Sequence, residues 1–204
     1  MENRIIILDV DGTLKNISLY GLIISFKEII KSVEKNPQDF FDDIKSFITS
    51  IGYTDNMFIE FFDKHYNNRV HLFPWVKQII PELSKTNRLT VLTSNKASAA
   101  TTSFRKANLL SFFEMIIGNE HVKRIKPDPE GIKLIYNKLG GNPSDYIIIG
   151  DTSKDVKAGK KAGIKTGLVK WGVAKKRLEK WKDIIALKPD YIFEQPNDLI
   201  KMLC

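Results

Sequence analysis

Asp9 and Asp11 stand one residue apart directly behind the apolar run Ile5–Leu8, with Gly12 next in line to allow a sharp turn. Thr93, Ser94 and Asn95 follow a second apolar run, Leu89–Leu92. Gly150 and Asp151 follow a third, Tyr146–Ile149, with Asp155 close behind. Lys126-Pro127 precedes the helix-like segment that leads into that third run. If the runs are strands of an open α/β sheet, ligands sit beyond their carboxyl ends, and all of these polar side chains meet at one edge.

Such an edge poses an electrostatic problem that limits its chemistry. A phosphate dianion about 3.5 Å from a carboxylate, at an effective dielectric near 20, is opposed by roughly 9 kcal/mol. A hard cation with oxygen ligands removes that cost, and Mg²⁺ usually takes one or two carboxylates together with substrate phosphate and waters. Lys126 would add a second positive charge. The cluster therefore implies a metal ion from its residue types alone.

The elements that would position these residues are short. Apolar runs at Ile5–Leu8, Leu89–Leu92, Met115–Ile117, Tyr146–Ile149, Thr166–Val169 and Tyr191–Phe193 are mostly rich in Ile and Val and lack strict alternation, as strands buried on both faces do. Helix-like segments lie between them at Trp75–Lys85, Ala97–Ala107, Pro129–Leu139, Asp155–Ala162 and Lys175–Ile185. This alternation predicts an α/β fold, a Rossmann-like parallel sheet with right-handed crossovers and helices on its flanks. Residues 15–74 break the rhythm. Their apolar side chains recur at helical steps (Phe40, Phe41, Ile44, Phe47, Ile48, Ile51, then Phe58, Phe61, Phe62), which predicts a small all-helical insertion after the first strand. The expected organisation is a core of residues 1–14 and 75–204 with a cap of residues 15–74.

At 204 residues, 43% hydrophobic and 27% charged, the chain can bury a substantial core, and wholesale disorder is disfavoured. The single cysteine, Cys204, cannot form an internal disulfide, which fits a reducing compartment. Neither a signal-peptide pattern nor an 18-residue apolar stretch is present, so the expectation is a cytoplasmic protein that does not span a membrane. The net charge of +8 is uneven. Residues 15–74 carry 7 Lys/Arg and 8 Asp/Glu, and residues 75–204 carry 24 and 13. The basic half would favour an anionic ligand. Its lysines nonetheless sit where helices and turns face water, without aromatic interleaving or a nucleic-acid motif, so nucleic acid is disfavoured as a partner.

With these residues in place, the sequence resembles the haloacid dehalogenase superfamily, and within it phosphatases similar to phosphoglycolate phosphatases. Asp9-Val10-Asp11-Gly12-Thr13-Leu14 matches the first motif, Leu92-Thr93-Ser94-Asn95 the second and Lys126-Pro127-Asp128-Pro129 the third. Gly150-Asp151-Thr152-Ser153-Lys154-Asp155 matches the fourth, and Ala158-Gly159, Ala162-Gly163 and Trp171-Gly172 continue the pattern.

The resemblance implies a Mg²⁺-dependent phosphatase that hydrolyses a small phosphomonoester. Asp9 would attack phosphorus and carry an aspartyl-phosphate. Asp11 would protonate the leaving alcohol and then deprotonate the attacking water. Thr93 and Ser94 would hold phosphoryl oxygens, and Lys126 would stabilise their charge and orient Asp9. Asp9, Asp151 and the Asp11 backbone carbonyl would hold the metal, with Asp155 supporting that site from behind.

Taken singly, each motif has a plainer reading as a turn, a strand end or a surface lysine. Only their order and placement turn them into a site. Competing functions are a phosphomutase acting on a sugar phosphate and a non-catalytic binding protein on the same fold. Dehalogenation needs neither Mg²⁺ nor a second acid, so Asp11 and Asp151 argue against it. His65, His71 and His121 show no ligand spacing and suit packing or the surface, and Cys204 has no evident activator. Asn95 is expected as a cap of the following helix. Substrate choice is expected to lie with the cap, through Lys15, Asn16, Tyr20, His65, Tyr66 or Arg69. The expected state is a monomer or a homodimer.

Overall fold

The computed structural model describes residues 4–15, 71–171 and 181–204, with the backbone alone at Trp181. The chain divides into two units, Met1–Asn16 with Leu72–Cys204, and Ile17–His71, and every element described belongs to the first. The expected cap helices, and with them Asn16, Tyr20, His65, Tyr66 and Arg69, lie outside the described residues, as does the stretch 172–180.

Six parallel strands form one sheet: β1 (Ile5–Leu8), β2 (Arg88–Leu92), β3 (Phe113–Ile117), β4 (Tyr146–Gly150), β5 (Lys165–Val169) and β6 (Tyr191–Phe193), in the order β3-β2-β1-β4-β5-β6. All six apolar runs expected as strands are strands. Because β1 is central, its successive side chains enter opposite cores. Ile6 and Leu8 pack with helices α1 (Val76–Ser84), α2 (Ala97–Lys106) and α6 (Asp198–Leu203) through Val76, Ile80, Leu83, Phe104, Leu199 and Leu203. Ile5 and Ile7 pack with α3 (Glu130–Leu139) and α4 (Ser153–Ala162) through Ile132, Ile135 and Ala158. Both faces are thus covered, which is why these strands read as continuous rather than alternating apolar runs.

The helices follow from spacing in the same way. In α1, Val76, Ile79, Ile80 and Leu83 are buried, one stripe at three- and four-residue steps. A short helix α5 (Trp181–Ile185) packs Ile184 against Val156 and Leu168. No helix among the described residues is long and apolar enough to cross a membrane.

At the other end of the sheet from the strand carboxyl termini, Asn87 donates from Nδ2 to the carbonyl of Leu203 at 3.2 Å and to Cys204 Sγ at 3.8 Å. This fastens the end of α6 beside the entry to β2. Cys204 itself is exposed.

Candidate active site

The strand order places β2 and β4 on either side of β1, so the chain crosses over in opposite directions from the centre, and a crevice forms where the loops diverge. The sheet ladder reaches one residue past two of these strands. Asp9 N donates to the Ile149 carbonyl at 2.9 Å, and Thr93 N to the Ile117 carbonyl at 2.9 Å. Each first polar residue is therefore pinned by the sheet although it belongs to a loop.

The loop after β1 is held by its own backbone. Leu14 N and Lys15 N both donate to the Val10 carbonyl at 2.8 Å, and Gly12 N donates to the Lys15 carbonyl at 2.9 Å. Lys15 is 1% exposed and its backbone also bridges to Leu72. Gly12 has φ +86°, and a Cβ there would lie 2.1 Å from Asp151 Oδ2. Glycine is thus required both by the turn and by the approach of the β4 carboxylate. Gly150 plays a matching part, since a Cβ on it would lie 2.1 Å from Asp155 Cγ.

Lys126 is the hub of the cluster. Its Nζ stands 2.5 Å from Asp9 Oδ1, 2.7 Å from Asp155 Oδ1 and 2.8 Å from the Leu92 carbonyl. All three donors of the ammonium group are thereby used. The other oxygen of Asp155 accepts from Thr152 N at 3.1 Å and from Thr152 Oγ1 at 2.7 Å, a reciprocal cap that starts α4. The other oxygen of Asp9 accepts from Thr13 Oγ1 at 3.2 Å. The Thr13 carbonyl in turn accepts from the Trp171 indole at 2.9 Å. Trp171 meets Trp75 edge to face, and Phe73 stacks on Trp75.

One carboxylate oxygen from each of Asp9, Asp151 and Asp155 lies within 4.8 Å of the others, and all three residues are buried. Lys126 offsets only part of that charge. Burial pushes the Asp9 carboxyl well above its ordinary range; Lys126 pulls it down, while Asp155, Asp151 and Asp11 push it further up. Burial would lower the Lys126 pKa, but the charges of Asp155 and Asp9 and their hydrogen bonds outweigh it and raise it. Lys126 therefore stays charged, and the remaining negative charge calls for another cation. Clustered, buried, oxygen-only donors fit a hard divalent ion.

Asp11 is less enclosed. Its Oδ2 accepts from Asn95 Nδ2 at 2.7 Å, and its Oδ1 is buried with no hydrogen-bond partner among the described residues. Thr93 is 3% exposed, and its Oγ1 accepts from Asn95 N at 3.1 Å. Ser94 is half-buried between them in sequence. Asn95 is not the cap of α2. The Glu120 carboxylate takes that place, accepting from Ala97 N at 2.9 and 3.2 Å. His121 accepts from Gly118 N through Nδ1 at 3.0 Å, a local packing contact.

Residues 6–169 match the family described as haloacid dehalogenase-like hydrolase. The chain is 28% identical to a phosphoglycolate phosphatase of Aquifex aeolicus over 98% of its own length and 96% of the relative's. It is 30% identical to the pyrophosphatase PpaX of Bacillus velezensis over 71% of its length and 65% of that protein's. In structure it resembles a haloacid dehalogenase-like family hydrolase from Streptococcus pneumoniae, with TM-score 0.75 at 22% identity, covering 100% of this chain and 99% of the other. The chain belongs to the haloacid dehalogenase-like hydrolases. Among them it is an enzyme of the phosphatase kind, as the names of its relatives matched from end to end indicate. The expected fold and family are both borne out.

Proposed function

We propose that the enzyme hydrolyses a small phosphomonoester with the help of Mg²⁺, through an aspartyl-phosphate on Asp9. The observation that carries this reading is the Lys126 bridge between Asp9 and Asp155 beside the buried Asp151, an anionic cluster built to be completed by a cation and a phosphate. Asp9 and Asp151, with the Asp11 backbone carbonyl, would hold the metal, which when bound neutralises the carboxylates and the phosphoryl oxygens.

Asp9 attacks phosphorus as a carboxylate held in position by Thr13 and Lys126. Asp11 gives its proton to the leaving oxygen, then takes one from the water that cleaves the aspartyl-phosphate. Thr93 and Ser94 hold the phosphoryl oxygens, while Lys126, its three donors already engaged, balances their charge and orients Asp9. Asp155, with both oxygens already engaged by Lys126 and Thr152, acts by holding Lys126 and shaping the metal site. Residues 15–74 act as a cap that sets substrate choice. A reducing cytoplasm is the setting that the lone cysteine suits. Relatives named for phosphoglycolate and for pyrophosphate make small, strongly anionic phosphates the first substrates to try.

The test is phosphate release with and without Mg²⁺, followed by acid quenching and peptide mass analysis. Phosphate should appear on Asp9, and Asp9→Asn should lower turnover by at least about a thousandfold. Substantial turnover by the folded Asp9→Asn protein would refute the assignment.

A further inference from the structure

Asn95 sits at a junction that the helix-cap reading does not explain. Its backbone N–H donates to Thr93 Oγ1 at 3.1 Å, its carbonyl accepts from Asn119 N at 3.0 Å, and its side-chain amide donates to Asp11 Oδ2 at 2.7 Å. Both backbone groups are fixed, so the amide has little freedom to swing away from Asp11. The far oxygen of that carboxyl, Oδ1, is buried without a hydrogen-bond partner among the described residues. A buried acceptor left in that condition is unfavourable, and a native structure holds such a group where something else is to meet it.

We propose that Asn95 is a positioning residue for proton transfer: by tying Oδ2 of Asp11 it makes Oδ1 the oxygen that exchanges a proton with substrate and water. This rests on Asp11 being the acid and base of the reaction proposed above. An amide N–H can only donate, and the carbonyl oxygen of a protonated carboxyl is the stronger acceptor, so the N–H bond favours the proton on the other oxygen. When Asp9 bonds to phosphorus and the ester P–O bond breaks, the proton on Asp11 Oδ1 passes to the departing oxygen and leaves Asp11 a carboxylate. In the second half, water bonds to phosphorus, its proton goes to the same Oδ1, and the P–O bond to Asp9 breaks. Because Asn95 also donates to Thr93 Oγ1, a single residue sets the acid and a phosphate-binding hydroxyl relative to each other.

The test compares leaving groups. For each variant, kcat/KM is measured on 4-nitrophenyl phosphate, whose leaving oxygen departs without a proton, and on a simple alkyl phosphate, whose oxygen needs one. This ratio reports events only through departure of the leaving group, so hydrolysis of the phosphoenzyme does not enter. Asn95→Ala should lose about tenfold to a hundredfold on the alkyl ester and no more than about threefold on the aryl ester, a part of the usual contribution of a general acid. Asn95→Asp, which keeps the shape but puts an acceptor where the donor was, should show the same selectivity and guards against a misfolded alanine variant. Equal losses on both esters, or no loss on either, would overturn the proposal. Failure of the underlying reading shows separately in Asp11→Asn, which would then lose equally on the two esters instead of losing far more on the alkyl one.

Discussion

Lys126 and Asp155 form an ion pair of 2.7 Å in which the two side chains are only 4% and 2% exposed. The same ammonium group also reaches Asp9, so its charge is held in place between two carboxylates. A buried pair of this kind adds little net stability over apolar packing, yet removing one partner is severe because the other is left charged and dry. The pair therefore reads as a device for placing Lys126.

Lys126→Met strands both carboxylates. It should destabilise the metal-free protein by about 3–5 kcal/mol and abolish turnover. Asp155→Asn should also be destabilising, and the double variant should lose less than the two single losses together, because the residues share one interaction. Denaturant unfolding of the four proteins checks this, and strict additivity would contradict it.

Metal binding has a signature independent of turnover. A ligand at ten times its dissociation constant that binds only the folded state adds about 1.4 kcal/mol. For a chain of this size that corresponds to a rise of about 3–6 °C in Tm. Mg²⁺ added after chelation should produce such a rise in wild type, and Asp151→Asn should remove most of it. An equal rise in that variant would place the ion elsewhere.

Two glycines with positive φ separate backbone strain from damage to the site. Gly12→Ala and Gly140→Ala both force an L side chain into an unfavourable region, at about 1–3 kcal/mol each. Around Gly140 nothing lies within 4 Å, whereas at Gly12 the new methyl group collides with Asp151. Gly140→Ala should lower Tm and leave turnover alone; Gly12→Ala should do both harms. Retained turnover in Gly12→Ala would mean that the Asp151 carboxylate can shift freely.

Asp190 offers a pH test away from the chemistry. It accepts from Thr166 N at 2.8 Å, from Thr166 Oγ1 at 2.7 Å and from Lys160 at 3.2 Å. Burial would raise its pKa, but these hydrogen bonds and the Lys160 charge outweigh it and hold it below the ordinary 3.8. A depressed folded-state value means that the stabilisation is fully present above the unfolded value and fades as pH falls through 3.8 toward the lower folded one. The side chain is 40% exposed, so the electrostatic part is less than about 1 kcal/mol. The stability gap between wild type and Asp190→Ala should be widest near neutrality and narrow on acidification below that range. A gap that widens on the acid side would contradict the assignment.

The strands were legible because burial on both faces leaves an unmistakable apolar run, and Ile5–Leu8 shows it most clearly. Asp9, Asp11, Thr93 and Asp151 could be singled out because each stands within three residues of the end of such a run. Asn95 was misread as a cap, since its type and place before α2 suit that task. The residue that caps α2 instead, Glu120, lies in a different loop, and no local pattern announces a partner so far along the chain. The bond from Trp171 to the Thr13 carbonyl was hidden for the same reason. Asp155 was placed near the metal, but its grip on Lys126 depends on two loops meeting in space.

The fastening of α6 beside the entry to β2 leaves Cys204 exposed at the far end of the sheet from Asp9 and Asp151. It is the chain's single thiol. A maleimide dye or a surface tether can therefore be attached at one defined point without changing any residue, and the enzyme can be immobilised with its reactive edge pointing away from the support.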